Sequence, residues 1–254
     1  MKLLVGLLFL AAALAAQVSA PRVGFARFSG GNVHIVSGLP ANLLVGDVSI
    51  ARADRASFSD FGGLLARQGE IVLVDANARL IASFVSGDAA PVLNIDGALT
   101  TAIAWLPSSH SILYWDGKDF LRTEANLAGE VTAVETIEPG KARLFVRQAD
   151  TSIAAVVVSR KTGQVLDSQT LPGIVGQAIA QHSFVVAADS KALIVESSNG
   201  QRRVLPIAGR DLTIERMSSD WLHIFSSSGE HWALHLTEND LQLSQMPPAR
   251  EEAQ

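Results

Sequence analysis

The stretch Ala154-Ala155-Val156-Val157-Val158-Ser159-Arg160-Lys161-Thr162-Gly163-Gln164-Val165-Leu166 decides the fold. Five small or β-branched apolar residues read as a strand. Ser159 to Gly163 then read as a turn, and a second strand starts at Gln164. A further short run at 144–147 precedes both, so residues 144–147, 154–158 and 164–168 form a triplet of strands. The unbroken apolar run at 154–158 suits a strand covered on both faces rather than a half-wet one.

The triplet returns at 184–188, 193–196 and 203–206, and again at 222–225, 232–236 and 241–244. Stepping backwards places the middle strands of three more triplets at 112–115, 71–74 and 33–36. The six middle strands start at 33, 71, 112, 154, 193 and 232, in nearly even steps. Turn residues recur after each, as in Asp75-Ala76-Asn77-Ala78, Asp116-Gly117-Lys118-Asp119 and Ser198-Asn199-Gly200-Gln201. A fourth strand fits ahead of most triplets, for example at 131–137, 175–181 and 212–217.

Four short antiparallel strands in about forty residues is the period of a propeller blade. One such sheet cannot bury both faces, whereas radial stacking covers both and leaves only short edges. The expected fold is therefore all-β, a β-propeller of about six four-stranded blades spanning residues 21–246. Five or seven blades, or a β-sandwich, are the alternatives. The first blade goes straight into residues 23–28 with no inner strand ahead of it, and residues 53–63 are longer than their counterparts.

Residues 1–20 read as a signal peptide. Lys2 is their only charge, residues 3–16 are apolar apart from Gly6, and small residues follow. That core is near the ~7–15 residues of a signal h-region and short of the ~20 of a spanning helix. Pro21 disfavours cleavage at Ala20, so Ala15 or Ala16 is the better site. No later segment is long and apolar enough to span a bilayer, so stable membrane insertion is not expected after cleavage. The expected location is exported, periplasmic or extracellular. Residues 247–254 begin with two prolines and read as a disordered tail.

The 254 residues include no cysteine, which excludes disulfides, thiolate metal sites and thiol catalysis. A formal net charge of −5 argues against nucleic acid as a partner. Gly-x-Ser-x-Gly and the P-loop pattern are absent. His231 and His235 are four apart. On a strand they would sit roughly 13 Å apart, too far for one metal, though His223 on the next strand could approach one of them. They read as polar residues at the edge of the last blade. His34, His110 and His182 read as structural, and no metal or cofactor is expected. Asp220, Trp221 and Trp232 form one weak ligand-binding candidate, an amphipathic patch for a peptide or sugar, with core packing of the two indoles the plainer reading. Asp96, Glu135, Glu138 and Glu215 fall in or near inner-strand segments and are the candidates for a channel site.

The segment Val156 to Leu166 resembles a quinoprotein-type propeller repeat, in which a strand leads into Asp-x-x-Thr-Gly and then a strand ending in Trp. Here Ser159 stands at the Asp position and Asp167-Ser168 where Trp would dock. By period, the chain resembles secreted bacterial β-propeller proteins with WD40-like or quinoprotein-like repeats. Gly229-Glu230-His231-Trp232 is similar to the end of a sialidase Asp-box, with Ser227 at the Asp position. The resemblance implies the fold and no quinone cofactor, since the cysteine pair of some quinone enzymes cannot occur. Three functions follow as expectations. One is a non-catalytic binding or scaffold module of the bacterial cell envelope, recognising an envelope protein or small ligand through blade loops. A second is a hydrolase or lyase with its site at the channel mouth. A third is an accessory subunit of a secretion or surface machine.

Overall fold

A computed structural model describes residues 20–189, 192–207, 210–238 and 240–249. Residues 1–19, which hold most of the expected signal peptide, and residues 250–254 lie outside it. The described chain forms six antiparallel sheets arranged as the blades of a propeller. Blade 1 has three strands, β1 (Arg22–Arg27), β2 (Val33–Leu39) and β3 (Asn42–Ile50). Blade 2 comprises β4 (Arg55–Ser59), β5 (Gly62–Arg67), β6 (Glu70–Asp75) and β7 (Leu80–Val85). Blade 3 comprises β8 (Val92–Asn94), β9 (Ile103–Leu106), β10 (Ser111–Trp115) and β11 (Phe120–Glu124). Blade 4 comprises β12 (Glu130–Glu138), β13 (Lys141–Arg147), β14 (Ser152–Ser159) and β15 (Val165–Val175). Blade 5 comprises β16 (Gln177–Gln181), β17 (Phe184–Ala188), β18 (Ala192–Ser197) and β19 (Arg202–Pro206). Blade 6 comprises β20 (Thr213–Ser218), β21 (Trp221–Phe225), β22 (His231–Leu236) and β23 (Leu241–Gln245).

The expected middle strands are β2, β6, β10, β14, β18 and β22. Turn chemistry sets the hairpins. The Asp116 carboxylate accepts from the backbone N–H of Lys118 and Asp119, both at 2.8 Å, closing the turn between β10 and β11. Gly163, in the turn of the opening stretch, has φ 70° and lies against the end of β11, where a Cβ would meet the Glu124 carbonyl oxygen. That contact, as much as the turn, requires glycine.

The outer strands are the exposed ones, whereas the second and third strands of the blades are largely buried. By this measure β3, with its exposed pattern, is the outer strand of blade 1, and β1 stands in the second position. Among the described residues, blade 1 therefore has no inner strand. In its place β4 of blade 2 and β20 of blade 6 come directly together, with β1 packed behind both. The inner ring thus consists of β4, β8, β12, β16 and β20.

Each apolar cluster straddles neighbouring blades. Phe25, Val33, Phe58 and Leu65 join blades 1 and 2; Leu73, Leu106 and Leu113 join blades 2 and 3. Ile112, Leu144 and Val158 join blades 3 and 4, and a larger cluster around Phe145, Leu193 and Leu234 runs through blades 4, 5 and 6. Burial between the sheets thus supplies the main stabilisation of a cysteine-free chain. Between blades 5 and 6 the Gln177 amide adds a strand-like clasp. It donates to the Ile214 carbonyl and accepts the Ile214 N–H, both at 2.9 Å.

Blades 6 and 1 meet through side chains, since among the described residues no strand is shared between their sheets. Val23, Phe28 and Val36 meet Met217, Trp221 and Ala233. Gly24 lets the backbones approach, because a Cβ there would lie 2.3 Å from the Met217 carbonyl oxygen. Arg27 grips the Glu215 carboxylate with Nε at 3.1 Å from both oxygens and Nη2 at 2.8 Å from Oε1. Met246 and Ala249 are buried in the same seam.

Candidate functional site

The five inner strands begin on one face of the propeller and frame a cavity of about 570 Å³ around the axis. Its wall is built from the first residues of those strands and the loops before them, including Arg55, Val92, Val131, Ile179, Leu212 and Ile214. The rim is charged: Glu130, Asp189 and Asp211 stand with Arg55 and Arg147, and Arg147 pairs with Glu130 at 2.6 Å.

Arg216 forms the floor. It is the fourth residue of β20, so it lies roughly 10 Å inward of Thr213 at about 3.3 Å per residue. Strand alternation sends Ile214 and Arg216 toward blade 5 and Glu215 and Met217 toward blade 1. The guanidinium is buried and crosses the channel. Its Nε donates to the Asn94 side-chain oxygen at 3.0 Å, Nη2 to the Ala180 carbonyl at 2.7 Å, and Nη1 to the Gln181 side-chain oxygen. All three acceptors are neutral. Burial lowers the Arg216 pKa from its usual value, while Asp96 and Glu135 oppose that shift through space. Neither makes one of these hydrogen bonds.

The four carboxylates picked from sequence divide into three situations. Asp96 and Glu135 are brought into electrostatic reach of each other and of Arg216, yet neither lines the cavity. Burial raises the Glu135 pKa, and the Arg143 guanidinium, hydrogen-bonded to it, opposes the rise. Glu215 does line the cavity but is committed to Arg27. Glu138 sits at the exposed end of β12 and pairs with Lys141 at 3.1 Å.

Asp220, Trp221 and Trp232 do not converge. The register pairs Trp221 with His235 and Trp232 with Ile224, which places the two indoles on opposite faces of blade 6. Both are buried, Trp221 against blade 1 and Trp232 in the cluster shared with blade 5. Asp220 lies in the turn between β20 and β21, with its carboxylate 2.8 Å from His182 Nε2.

His231 is not a strand-edge residue. It stacks on His223, with ring centroids 5.1 Å apart and Nδ1 of His231 at 2.9 Å from Nε2 of His223. Phe28 lies against His34, His223 and His231 in the same seam. His235 instead tilts over Trp221 and meets Asp240 at 3.2 Å. Among the described residues, no group of three or more His, Asp or Glu is arranged to hold a metal ion.

Arg216, Asn94 and Gln181 escaped the sequence reading. The one signal was a charged pair, Glu215-Arg216, set inside an inner strand between Ile214 and Met217.

No protein-family model matches the sequence, and no curated protein matches it. Solved structures do share the architecture. The chain is similar to PorZ, described as an essential bacterial surface component of the type-IX secretion system of Porphyromonas gingivalis, with a TM-score of 0.51 and 14% identity. That alignment covers 89% of this chain and 31% of PorZ, so this chain spans under a third of that protein. It is also similar to the β-propeller domain of Cps50 (Swd1) from Myceliophteria thermophila, with a TM-score of 0.50 and 11% identity, covering 90% of this chain and 88% of that one. At such identities the likeness establishes the fold: the chain is a six-bladed β-propeller.

Proposed function

We propose that the chain is a non-catalytic recognition module of the cell envelope that takes its ligand at the mouth of the propeller channel. The observation that carries this reading is the cavity of about 570 Å³, a size typical of ligand pockets, walled by all five inner strands. The wall is rigid sheet and the rim is loop, the usual division between scaffold and recognition. The envelope assignment rests on the leader-like residues 1–20. A surface component built on the same architecture, PorZ, is a parallel of fold. A hydrolase or lyase needs an acid or base free to act on a ligand. Of the four carboxylates that line the cavity, Glu215 is held by Arg27, Glu130 by Arg147, and Asp211 accepts from the Ser227 hydroxyl at 3.1 Å.

Methyl NMR tests the reading. Protein labelled at Ile, Leu and Val methyls is titrated with soluble extract of the producing cell's envelope. Val131, Val134, Ile179, Leu212 and Ile214 should shift, while the circumferential Leu121 and Val165 stay still. Shifts confined to the circumference, or none at all, would refute a mouth site.

A further inference from the structure

We infer that the channel cavity accepts a short peptide carboxylate-first, with the C-terminal carboxylate on Arg216 and the ammonium at the rim beside Asp189 and Asp211. This rests on the reading of the mouth as a ligand site and deepens it by naming the ligand's chemistry.

Three observations carry the assignment. The first is the guanidinium at the cavity floor. Three of its N–H groups go to neutral oxygens of Asn94, Gln181 and Ala180, and two N–H groups remain for another acceptor. A buried guanidinium without a hydrogen-bonded counter-ion is costly, and a carboxylate arriving from the cavity forms the charge-assisted bond that is missing. Asp96 and Glu135 act on it only through space, and Glu135 is already bound by Arg143. The second is the neighbouring Asn94 side-chain nitrogen, a buried donor with no partner. It shows that this level of the channel has more donors than acceptors.

The third is the polarity along the axis. Arg216 lies at the bottom, while at the rim Arg147 is paired with Glu130, and Asp189 and Asp211 outnumber the remaining cation, Arg55. The depth from rim to floor, roughly 10 Å, matches an extended peptide of about three residues. The apolar wall between, with Val131, Ile179, Leu212 and Ile214, suits small aliphatic side chains. A free amino acid would leave most of the volume unfilled.

Isothermal titration with trialanine, trialanine amide and N-acetyl-trialanine tests the assignment. Trialanine should bind most tightly. The amide, which lacks the carboxylate, should bind at least tenfold more weakly, and the acetylated form severalfold more weakly. The double variant Asp189→Asn with Asp211→Asn changes only rim residues, and in it trialanine and its acetylated form should bind equally. Arg216→Gln should abolish the preference for acid over amide. Should that variant fail to fold, the rim variant and the ligand series still decide. Equal binding of acid and amide, or no binding of trialanine, overturns the assignment. Methyl shifts at the mouth with envelope extract, alongside no trialanine binding, would remove the peptide and leave the mouth site standing.

Discussion

Acidification should loosen the seam between blades 6 and 1, and His223 is the group through which it acts. Its imidazole is fully buried among Phe28, Phe225 and His231. Burial, then the neighbouring His231 and Arg27, hold its pKa well below the usual histidine value of 6.5. The folded state therefore binds fewer protons than the unfolded state as pH falls. The contribution of a neutral His223 is complete above pH 6.5 and is lost progressively below it. Between pH 7.5 and 5.5, one such histidine costs about 1.4 kcal/mol, at 1.36 kcal/mol per pH unit below its unfolded pKa. For a domain of this size that is about 3–6 °C in Tm. Glu135, whose pKa burial raises, works in the opposite direction, so the wild-type slope alone is not diagnostic. The informative measurement is the difference between wild type and His223→Phe in urea unfolding at the two pH values. The variant keeps a ring in the stack and should lose about 1.4 kcal/mol less on acidification. Equal losses in the two proteins would refute the argument that a neutral imidazole holds this seam.

Two further outcomes test the ring. Arg27→Met leaves Glu215 buried without its partner and should cost about 3–5 kcal/mol, while Arg27→Met with Glu215→Leu should recover most of it, both read by urea unfolding. Gln177→Ala removes the amide clasp on Ile214 and should cost about 1–3 kcal/mol. The Ile214 amide should then exchange with solvent faster than it does in the wild type, and an unchanged rate would show that the clasp is idle.

The blades were legible in the sequence because strand and turn signals are local. The runs Ala154–Val158, Leu193–Glu196 and Trp232–Leu236 are each bounded by polar turns, and their spacing counted six sheets without any long-range contact. The gap in blade 1 showed too, because the short interval between the expected leader and the run at 23–28 leaves no room for an inner strand. The site was less visible because it depends on which face a residue takes and on partners far along the chain. Arg216 meets Asn94 across 122 positions, and Arg27 meets Glu215 across 188. The two tryptophans are the instructive case. The hairpin between β21 and β22 pairs odd residues with odd and even with even, so Trp221 and Trp232 had to face opposite ways. Placing the centre of that hairpin would have separated them from sequence alone. The carboxylates were harder: Glu135, Glu138 and Glu215 all lie on inner strands, and only the fold gives each its cation, Arg143, Lys141 and Arg27.

The gap in the inner ring has a mechanical consequence. Because β4 and β20 already touch, blades 2 to 6 form a closed annulus by themselves, and blade 1 is clamped onto its outside rather than built into the hub. The cavity within the annulus takes no wall residue from blade 1, so a change in that blade reaches the channel only through what it touches there, Glu215 above all.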